Sequence, residues 1–201
     1  MQKLKKKQLE MSLQRLKLLE DPSSMLEQYP TPAYIASDVL WEAFGAGDIE
    51  GRAVADLGCG NGIFSIGAKL LGADIVVGLD IDERAIKVAS ENARALGVDV
   101  EFVVSEVSSF GGEFDTTIQN PPFGAQTRHA DRAFIEKAIE ISPTVYSLHN
   151  EVGMDFVSQM TDSLGASCKA VKRYKFEIPY AFEFHRKTIE VVSVVLLKFQ
   201  R

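Results

Sequence analysis

The run Asn120-Pro121-Pro122-Phe123 holds the residue types that point most directly to a reaction. The asparagine side chain offers a carbonyl acceptor and an amide donor, and the proline after it offers a carbonyl without a competing N–H. These two carbonyls can accept both hydrogens of a planar –NH2 group, which frees the nitrogen lone pair for attack. Phe123 can stack on a planar substrate, a contact worth about 1–3 kcal/mol for a nucleobase. The tetrapeptide therefore predicts positioning and polarisation of an amine, without a strong general base.

A second group of residues follows the first predicted strand, where Asp-Leu-Gly-Cys-Gly-Asn-Gly occupies positions 56–62. Glycines at this place let the backbone turn tightly and approach a ligand. Their spacing does not match the Gly-x-Gly-x-x-Gly loop of nicotinamide dehydrogenases. Asp56 suits the cationic amino-acid end of S-adenosylmethionine better than a pyrophosphate. Asp80, at the end of the next predicted strand, can bind ribose hydroxyls.

The elements that position these residues alternate between short apolar runs and helical patterns from residue 52 onwards. Strands are predicted over 52–57, 75–80, 100–104, 114–119, 144–148, 169–177 and 188–199. Helices are predicted over 2–20, 33–45, 63–71, 83–96, 130–141 and 152–164, with Thr31 as the cap and Pro32 in the first turn of the second helix.

This alternation predicts an α/β fold, a Rossmann-like, seven-stranded, mostly parallel sheet with helices on both faces. The last two strands have no helix between them and should form an antiparallel hairpin at a sheet edge. We expect a single domain over residues 1–201, with an N-terminal helical extension over 1–45 and a Rossmann-like core over 46–201.

The charge of the chain is distributed unevenly. The net charge is −6, yet residues 1–17 and 169–201 each carry +5, so the segment between them carries −16. Such an asymmetry can create a local basic surface on an acidic protein. Two of the 201 residues are cysteines, which predicts no metal site and a reducing, cytoplasmic location. We find no apolar run long enough to span a membrane and no signal peptide pattern.

The acid and glycines of the 56–62 segment resemble the first motif of class I methyltransferases, which use S-adenosylmethionine. The resemblance implies that Asp56, Gly58 and Gly60 line the methionine portion of the cofactor. It also implies that Asp80 holds the ribose and that Glu106, after the third strand, reads the adenine. The tetrapeptide at 120–123 resembles the Asn/Asp-Pro-Pro-aromatic motif of amino-methyltransferases, whose substrates are adenine N6, cytosine N4 or glutamine side chains.

Across nearly its full length the sequence resembles the methyltransferase-like-five family, which methylates adenine N6 in small-subunit ribosomal RNA. The segments that carry this resemblance are Glu27–Thr31, Asp80–Asp82, Asn120–Gly124 with Asp131 and Phe134, Val145–His149, Pro179-Tyr180 and Phe184–Lys187. The resemblance implies a cofactor site formed by Gln28, Thr31, Asp56, Gly58, Gly60, Asn61, Ile63, Asp80, Ile81, Glu106, Val107 and Asn120.

The same resemblance implies a small zinc-binding activator protein that pairs with the sheet of the methyltransferase. The apolar stretch 74–79 and the strand 100–104 are the expected exposed edge. RNA contacts are expected from the two basic ends of the chain, at Lys5, Lys6, Lys7, His185, Arg186 and Lys187.

Two alternatives remain open on the sequence. A protein-glutamine N5-methyltransferase uses the same tetrapeptide, although such enzymes usually carry a separate substrate-recognition domain. A non-catalytic RNA-binding scaffold could keep the fold and lose the reaction.

Overall fold

The computed structural model describes residues 4–23, 25–123, 131–180 and 188–201, with side chains described except at 176–180 and 188–190. Its helices are α1 (Lys6–Leu13), α2 (Ala33–Gly45), α3 (Ile63–Leu70), α4 (Glu83–Leu96), α5 (Arg132–Ile141) and α6 (Met154–Ser163). Its strands are β1 (Ala53–Leu57), β2 (Ile75–Asp80), β3 (Glu101–Val104), β4 (Thr116–Gln119), β5 (Thr144–Asn150), β6 (Ser167–Tyr180) and β7 (Thr188–Gln200).

The strands form a seven-stranded sheet in the order β3-β2-β1-β4-β5-β7-β6. The first five strands in this order pair in parallel, and β7 pairs antiparallel with both β5 and β6. This topology confirms the predicted α/β fold and its antiparallel C-terminal hairpin. It also confirms the strand at 100–104 as an edge, whereas β2 lies inside the sheet between β1 and β3.

An apolar core covers each face of the sheet, as the alternation of side chains along a strand requires. On β7, Val194 and Leu196 join the core that contains α1, α2 and α3. The intervening Val195 and Leu197 join the core that contains α5 and α6. The loops at the carboxyl ends of the parallel strands are thereby held on two packed layers.

The first helix is shorter than the sequence predicts, because α1 ends at Leu13 and a turn follows. The buried amide of Asn92 accepts a hydrogen bond from the backbone N of Lys17 at 2.9 Å and donates to its carbonyl at 3.1 Å. These bonds hold the backbone of Lys17 against α4, and the chain after it does not continue the helix. We call residues 18–23 and 25–31 the strap.

Within the part of the chain that the structure describes, we find no helix that is long and apolar enough to cross a membrane.

We predict that G67A destabilises the protein where α3 crosses α2. A Cβ on Gly67 would overlap the Cδ1 atom of the fully buried Leu40. Overpacking of this kind costs about 1–3 kcal/mol, offset by about 1 kcal/mol of gained helix propensity. The matched control is G45A at the end of α2, where a Cβ meets nothing within 4 Å. Urea unfolding should show a lower free energy of unfolding for G67A alone; equal stability of the two variants would contradict the packing argument.

Candidate active site

A cavity of about 590 Å³ lies at the carboxyl ends of the parallel strands. This is the end of an α/β sheet at which ligands bind. Its walls come from the strap, from the loops after β1, β2, β3 and β4, and from the first turn of α5. It brings together most of the site residues that the sequence predicts, namely Gln28, Thr31, Gly58, Gly60, Asn61, Ile63, Asp80, Ile81, Glu106, Val107, Asn120 and Pro122.

The glycine loop between β1 and α3 is held against the end of β2 by Asp80. One carboxylate oxygen of Asp80 accepts from the backbone N of Gly60 at 2.9 Å, and the other accepts from the backbone N of Asp82 at 3.0 Å. Gly58 and Gly60 have φ angles of 70° and 54°, in the region that favours glycine. Burial raises the pKa of Asp80 above its ordinary value. Asp80 therefore shapes the loop and also lines the cavity.

Asp56 takes a different place from the one predicted, because it does not line the cavity. Its carboxylate is 1% exposed and accepts hydrogen bonds from the backbone N of Ser65 at 2.9 Å and from the Ser65 hydroxyl at 2.5 Å. Burial raises the pKa of Asp56 to about 7. The first turn of α3 binds this carboxylate, so Asp56 fixes the junction of β1 and α3. Its predicted contact with the methionine portion of the cofactor stays a prediction.

Asn120 stands at the end of β4 with its side-chain amide directed by Thr31. The Nδ2 atom of Asn120 donates to the Thr31 hydroxyl at 3.0 Å, across 89 residues of sequence. Its Oδ1 atom is buried, and we find no donor for it among the residues that the structure describes. An unsatisfied buried acceptor costs about 1–3 kcal/mol, which a ligand N–H would recover. Asn120 lines the cavity, so a turn of its side chain would bring this acceptor to a ligand where the sequence predicts the amine.

Comparison with known proteins places this chain in a family. The model of the Methyltransferase small domain matches residues 34–151. The rRNA N(6)-adenosine-methyltransferase METTL5 of Danio rerio is 34% identical over 98% of this chain and 99% of its own. A Methanocaldococcus jannaschii protein is 39% identical over 98% of this chain and 95% of its own. The chain belongs to the methyltransferase-like-five family. A Pyrococcus horikoshii crystal structure, 41% identical, matches this methyltransferase with a TM-score of 0.91 over 98% of both chains.

S-adenosylmethionine is the cofactor of class I methyltransferases such as this chain, and the cavity fits it. Every charged side chain in the described part of its wall is acidic: Glu27, Asp80 and Glu106. A negative lining favours a cationic ligand, and the methyl sulfonium carries a positive charge. The loop at Gly60 leaves open space beside the backbone, since a Cβ there would meet nothing within 4 Å. The ribose contact of Asp80 and the adenine contact of Glu106 remain predictions for this methyltransferase.

The side chains of two other predicted cofactor residues of the methyltransferase form hydrogen bonds within the protein. Gln28 donates to Asp82 at 3.0 Å and accepts from the backbone N of Ser23 at 2.7 Å, which ties the strap to the end of β2. Asn61 donates to the carbonyl of Lys17 at 3.1 Å. Both residues line the cavity and hold its strap in place.

The tetrapeptide of the methyltransferase divides between the cavity and the protein interior. Asn120 and Pro122 line the cavity, whereas Pro121 and Phe123 do not. Pro121 is buried, and Phe123 is partly buried against the core that contains α2. The predicted stacking of Phe123 on a substrate therefore stays a prediction that needs the ring to turn toward the cavity.

Sequence reasoning did not identify the apolar wall of the cavity. Leu18, Leu19 and Met25 of the strap line it, although the sequence predicts that the first two belong to the N-terminal helix. Phe134 of α5 lies opposite the glycine loop, and a Cβ on Gly58 would come within 3.1 Å of its ring. Phe134 belongs to the segments that carry the family resemblance, and that resemblance is the sequence feature that could have identified it. Thr31 was predicted as a helix cap, but Pro32 takes that position and the Thr31 hydroxyl binds Asn120.

Half of the predicted RNA contacts fall on α1 and the residue before it. Lys5 and Lys7 are exposed, while Lys6 forms an ion pair with Asp38 of α2, which also pairs with Lys172 of β6. Lys6 therefore docks α1 on the domain. His185, Arg186 and Lys187 lie outside the described residues, and their role as RNA contacts stays a prediction.

We predict that D56N changes the pH dependence of stability. The pKa of Asp56 is about 7 in the folded protein and about 3.9 when unfolded, so the folded state keeps a proton that the unfolded state loses. Wild-type stability should therefore fall relative to D56N as pH rises through this window, by up to about 4 kcal/mol. Urea unfolding at pH 4, 6 and 8 measures the difference. Parallel pH curves for the two proteins would show that Asp56 ionises freely in the fold.

We predict that T31V slows methyl transfer more than it weakens cofactor binding. Valine keeps the volume of threonine but leaves the Nδ2 atom of Asn120 without its acceptor, so the amide can turn. A loss of about 10-fold in kcat corresponds to one such hydrogen bond. T31S keeps the hydroxyl and should retain kcat. Calorimetry with S-adenosylmethionine separates the two effects, and a Kd that weakens as much as kcat would refute the orienting role.

Proposed function

We propose that this chain transfers a methyl group from S-adenosylmethionine to N6 of an adenosine in small-subunit ribosomal RNA. The observation that carries the proposal is the buried Oδ1 atom of Asn120, an acceptor at the cavity wall without a donor among the described residues. An exocyclic amine that lies beside the methyl donor needs such an acceptor for one of its hydrogens. Relatives named rRNA N(6)-adenosine-methyltransferases from Danio rerio and Drosophila melanogaster, each 34% identical, support the choice of substrate.

The chemistry assigned to the protein is orientation of the amine. When bound, S-adenosylmethionine supplies an electrophilic methyl group. The Oδ1 atom of Asn120 accepts one amine hydrogen. The Pro121 carbonyl accepts the other once it turns toward the cavity, which Pro121 does not line in this structure. With both hydrogens held, the lone pair is withdrawn from the ring and aligned for attack, a positioning effect. The extra proton leaves after transfer, so no strong base is required.

The adenosine must reach the cavity outside a duplex. A base inside a helix is inaccessible, so the target is flipped out or already single-stranded. The exposed Lys5 and Lys7 and the segment His185–Lys187 are the proposed phosphate contacts. The acidic lining of the cavity and the basic ends of the chain then serve two ligands of opposite charge. A cytoplasmic location remains a prediction.

We also propose that a small zinc-binding activator protein pairs with the edge strand β3. This strand has β2 on one side, and among the described residues no strand pairs with its other side. Val104 on β3 is 51% exposed, and an exposed apolar edge is suited to strand addition by a partner. The family resemblance is what points to the zinc-binding partner.

We predict that N120A abolishes labelling of small-subunit RNA. The wild type and N120A are incubated with labelled S-adenosylmethionine and isolated small-subunit RNA, with and without the zinc-binding activator. Wild type should label the RNA, more so with the activator, and mapping should place the label on adenosine N6. N120A should lose at least about 100-fold in kcat, since it removes the acceptor that orients the amine.

The controls separate the proposed function from its alternatives. N120D keeps a carbonyl-type acceptor and should retain part of the activity, as expected from the Asn/Asp alternation of the motif. Label on a release-factor protein in place of RNA would identify a glutamine methyltransferase. Label on large-subunit RNA would refute the subunit assignment. S-adenosylmethionine that fails to bind in calorimetry would favour a non-catalytic scaffold.

A further inference from the structure

Four buried or nearly buried polar side chains form a continuous chain on the α5 face of the sheet. The Gln119 Nε2 atom lies 3.0 Å from the Ser147 hydroxyl, which lies 2.6 Å from His149 Nε2. His149 Nδ1 lies 3.3 Å from a carboxylate oxygen of Asp131. We call these four residues the polar chain. Its first three members are at most 2% exposed and lie within a mostly apolar layer.

Strand register explains how these residues meet. Gln119 of β4 is paired with Ser147 of β5, so their side chains share one face of the sheet. His149 is two residues further along β5 and lies on that same face. Asp131 immediately precedes α5, which packs on this face.

The ring proton of His149 sets the direction of the hydrogen bonds in the polar chain. With the proton on Nδ1, the Gln119 amide donates to the Ser147 oxygen, the Ser147 hydroxyl donates to Nε2, and Nδ1–H faces Asp131 at 3.3 Å. The Gln119 Oε1 atom is buried without a donor among the described residues. The polar chain therefore links the end of β4 to the start of α5 by two hydrogen bonds and one longer polar contact.

Both ends of the polar chain adjoin the reaction site. Gln119 is the residue before Asn120, whose amide is held by Thr31. Asp131 is followed within three residues by Ala133 and Phe134, which line the cavity opposite the glycine loop. The polar chain thus joins the strand that carries the amine acceptor to the helix that carries the facing wall.

The polar chain is not a nucleophilic triad, although it contains serine, histidine and aspartate in contact. Ser147 is fully buried and does not line the cavity, so no substrate atom can reach its hydroxyl. A set of apolar side chains could fill this layer at no cost in stability. An apolar layer would not, however, connect β4 to α5 through directional polar contacts.

We propose that His149 is a positioning residue that fixes the distance between Asn120 and the Phe134 wall of the cavity. The proposal rests on the proposed methyl transfer, since it assigns the polar chain to that reaction. Loss of the imidazole frees the first turn of α5 and the end of β4 to shift separately. A displacement of about 1 Å at a reacting centre costs about 100-fold in rate.

The test compares H149F with a matched variant, T117V. Phenylalanine keeps an aromatic ring in the layer but removes the hydrogen bond to Ser147 and the polar contact with Asp131. Thr117 is also buried on β4, and its hydroxyl binds Ser142 at 2.6 Å, at the far end of α5 and away from the cavity. T117V therefore removes a buried hydrogen bond between the same strand and the same helix without touching the polar chain.

We predict that H149F lowers kcat by about 10–100-fold while T117V stays within about 2-fold of wild type at comparable thermal stability. Hydrogen exchange should quicken at residues 131–136 in H149F and not in T117V. H149N keeps a donor where Nδ1 stands and should restore slow exchange there, whereas H149Q should not.

Two outcomes would overturn the proposal. One is a kcat for H149F no lower than that of T117V; the other is slow exchange at residues 131–136 in every variant. Wild-type protein that fails to methylate RNA would refute the proposed function instead, and the exchange data would then decide the positioning role alone.

Discussion

Parallel pairing of β2, β1, β4 and β5 is the constraint on which the site depends. Parallel strands bring their carboxyl ends to one edge of the sheet, so Asp80 and Asn120, 40 residues apart in sequence, line the same cavity. The glycine loop after β1 lies between them because β1 is flanked by β2 and β4. Any change in strand order would separate the acid from the amide acceptor.

Polar groups near this edge mostly bind the protein itself, and that is how the cavity keeps its shape. Asp80 binds the backbone at Gly60, Gln28 binds Asp82, and Asn92 holds the backbone of Lys17. Arg84 keeps the pKa of Asp82 below its usual range, so this carboxylate stays charged as an acceptor for Gln28. Such prearranged groups lower the cost of ordering the site when ligands bind.

The strap gives the cavity a second set of walls that does not belong to the sheet. Its apolar side chains line the cavity, and its polar side chains bind Asp82, two residues beyond β2, and Asn120 at the end of β4. The molecule therefore has two electrostatic regions, the acidic walls of the cavity and the basic ends of the chain. The net charge of −6 indicates neither region, because the opposite charges partly cancel.

The sequence by itself determined the order and type of the elements, because hydrophobic periodicity and glycine or proline positions are local properties. It predicted the helices at 33–45 and 83–96 and the strand at 75–80 with their observed bounds. It also predicted most of the cavity wall, since acids, glycines and an amide after successive strands must converge in a parallel sheet.

Only the tertiary structure decided which polar side chains bind within the protein and which remain available to a ligand. The carboxylate of Asp56 binds two donors of Ser65 in the first turn of α3, a partnership that the sequence around Asp56 does not reveal. The predicted N-terminal helix was too long: it ends at Leu13, and Asn92, 75 residues from Lys17, binds the backbone of that residue outside the helix. Thr31 and His149 acquired their partners in the same way, through contacts that exist only once distant strands and helices have packed.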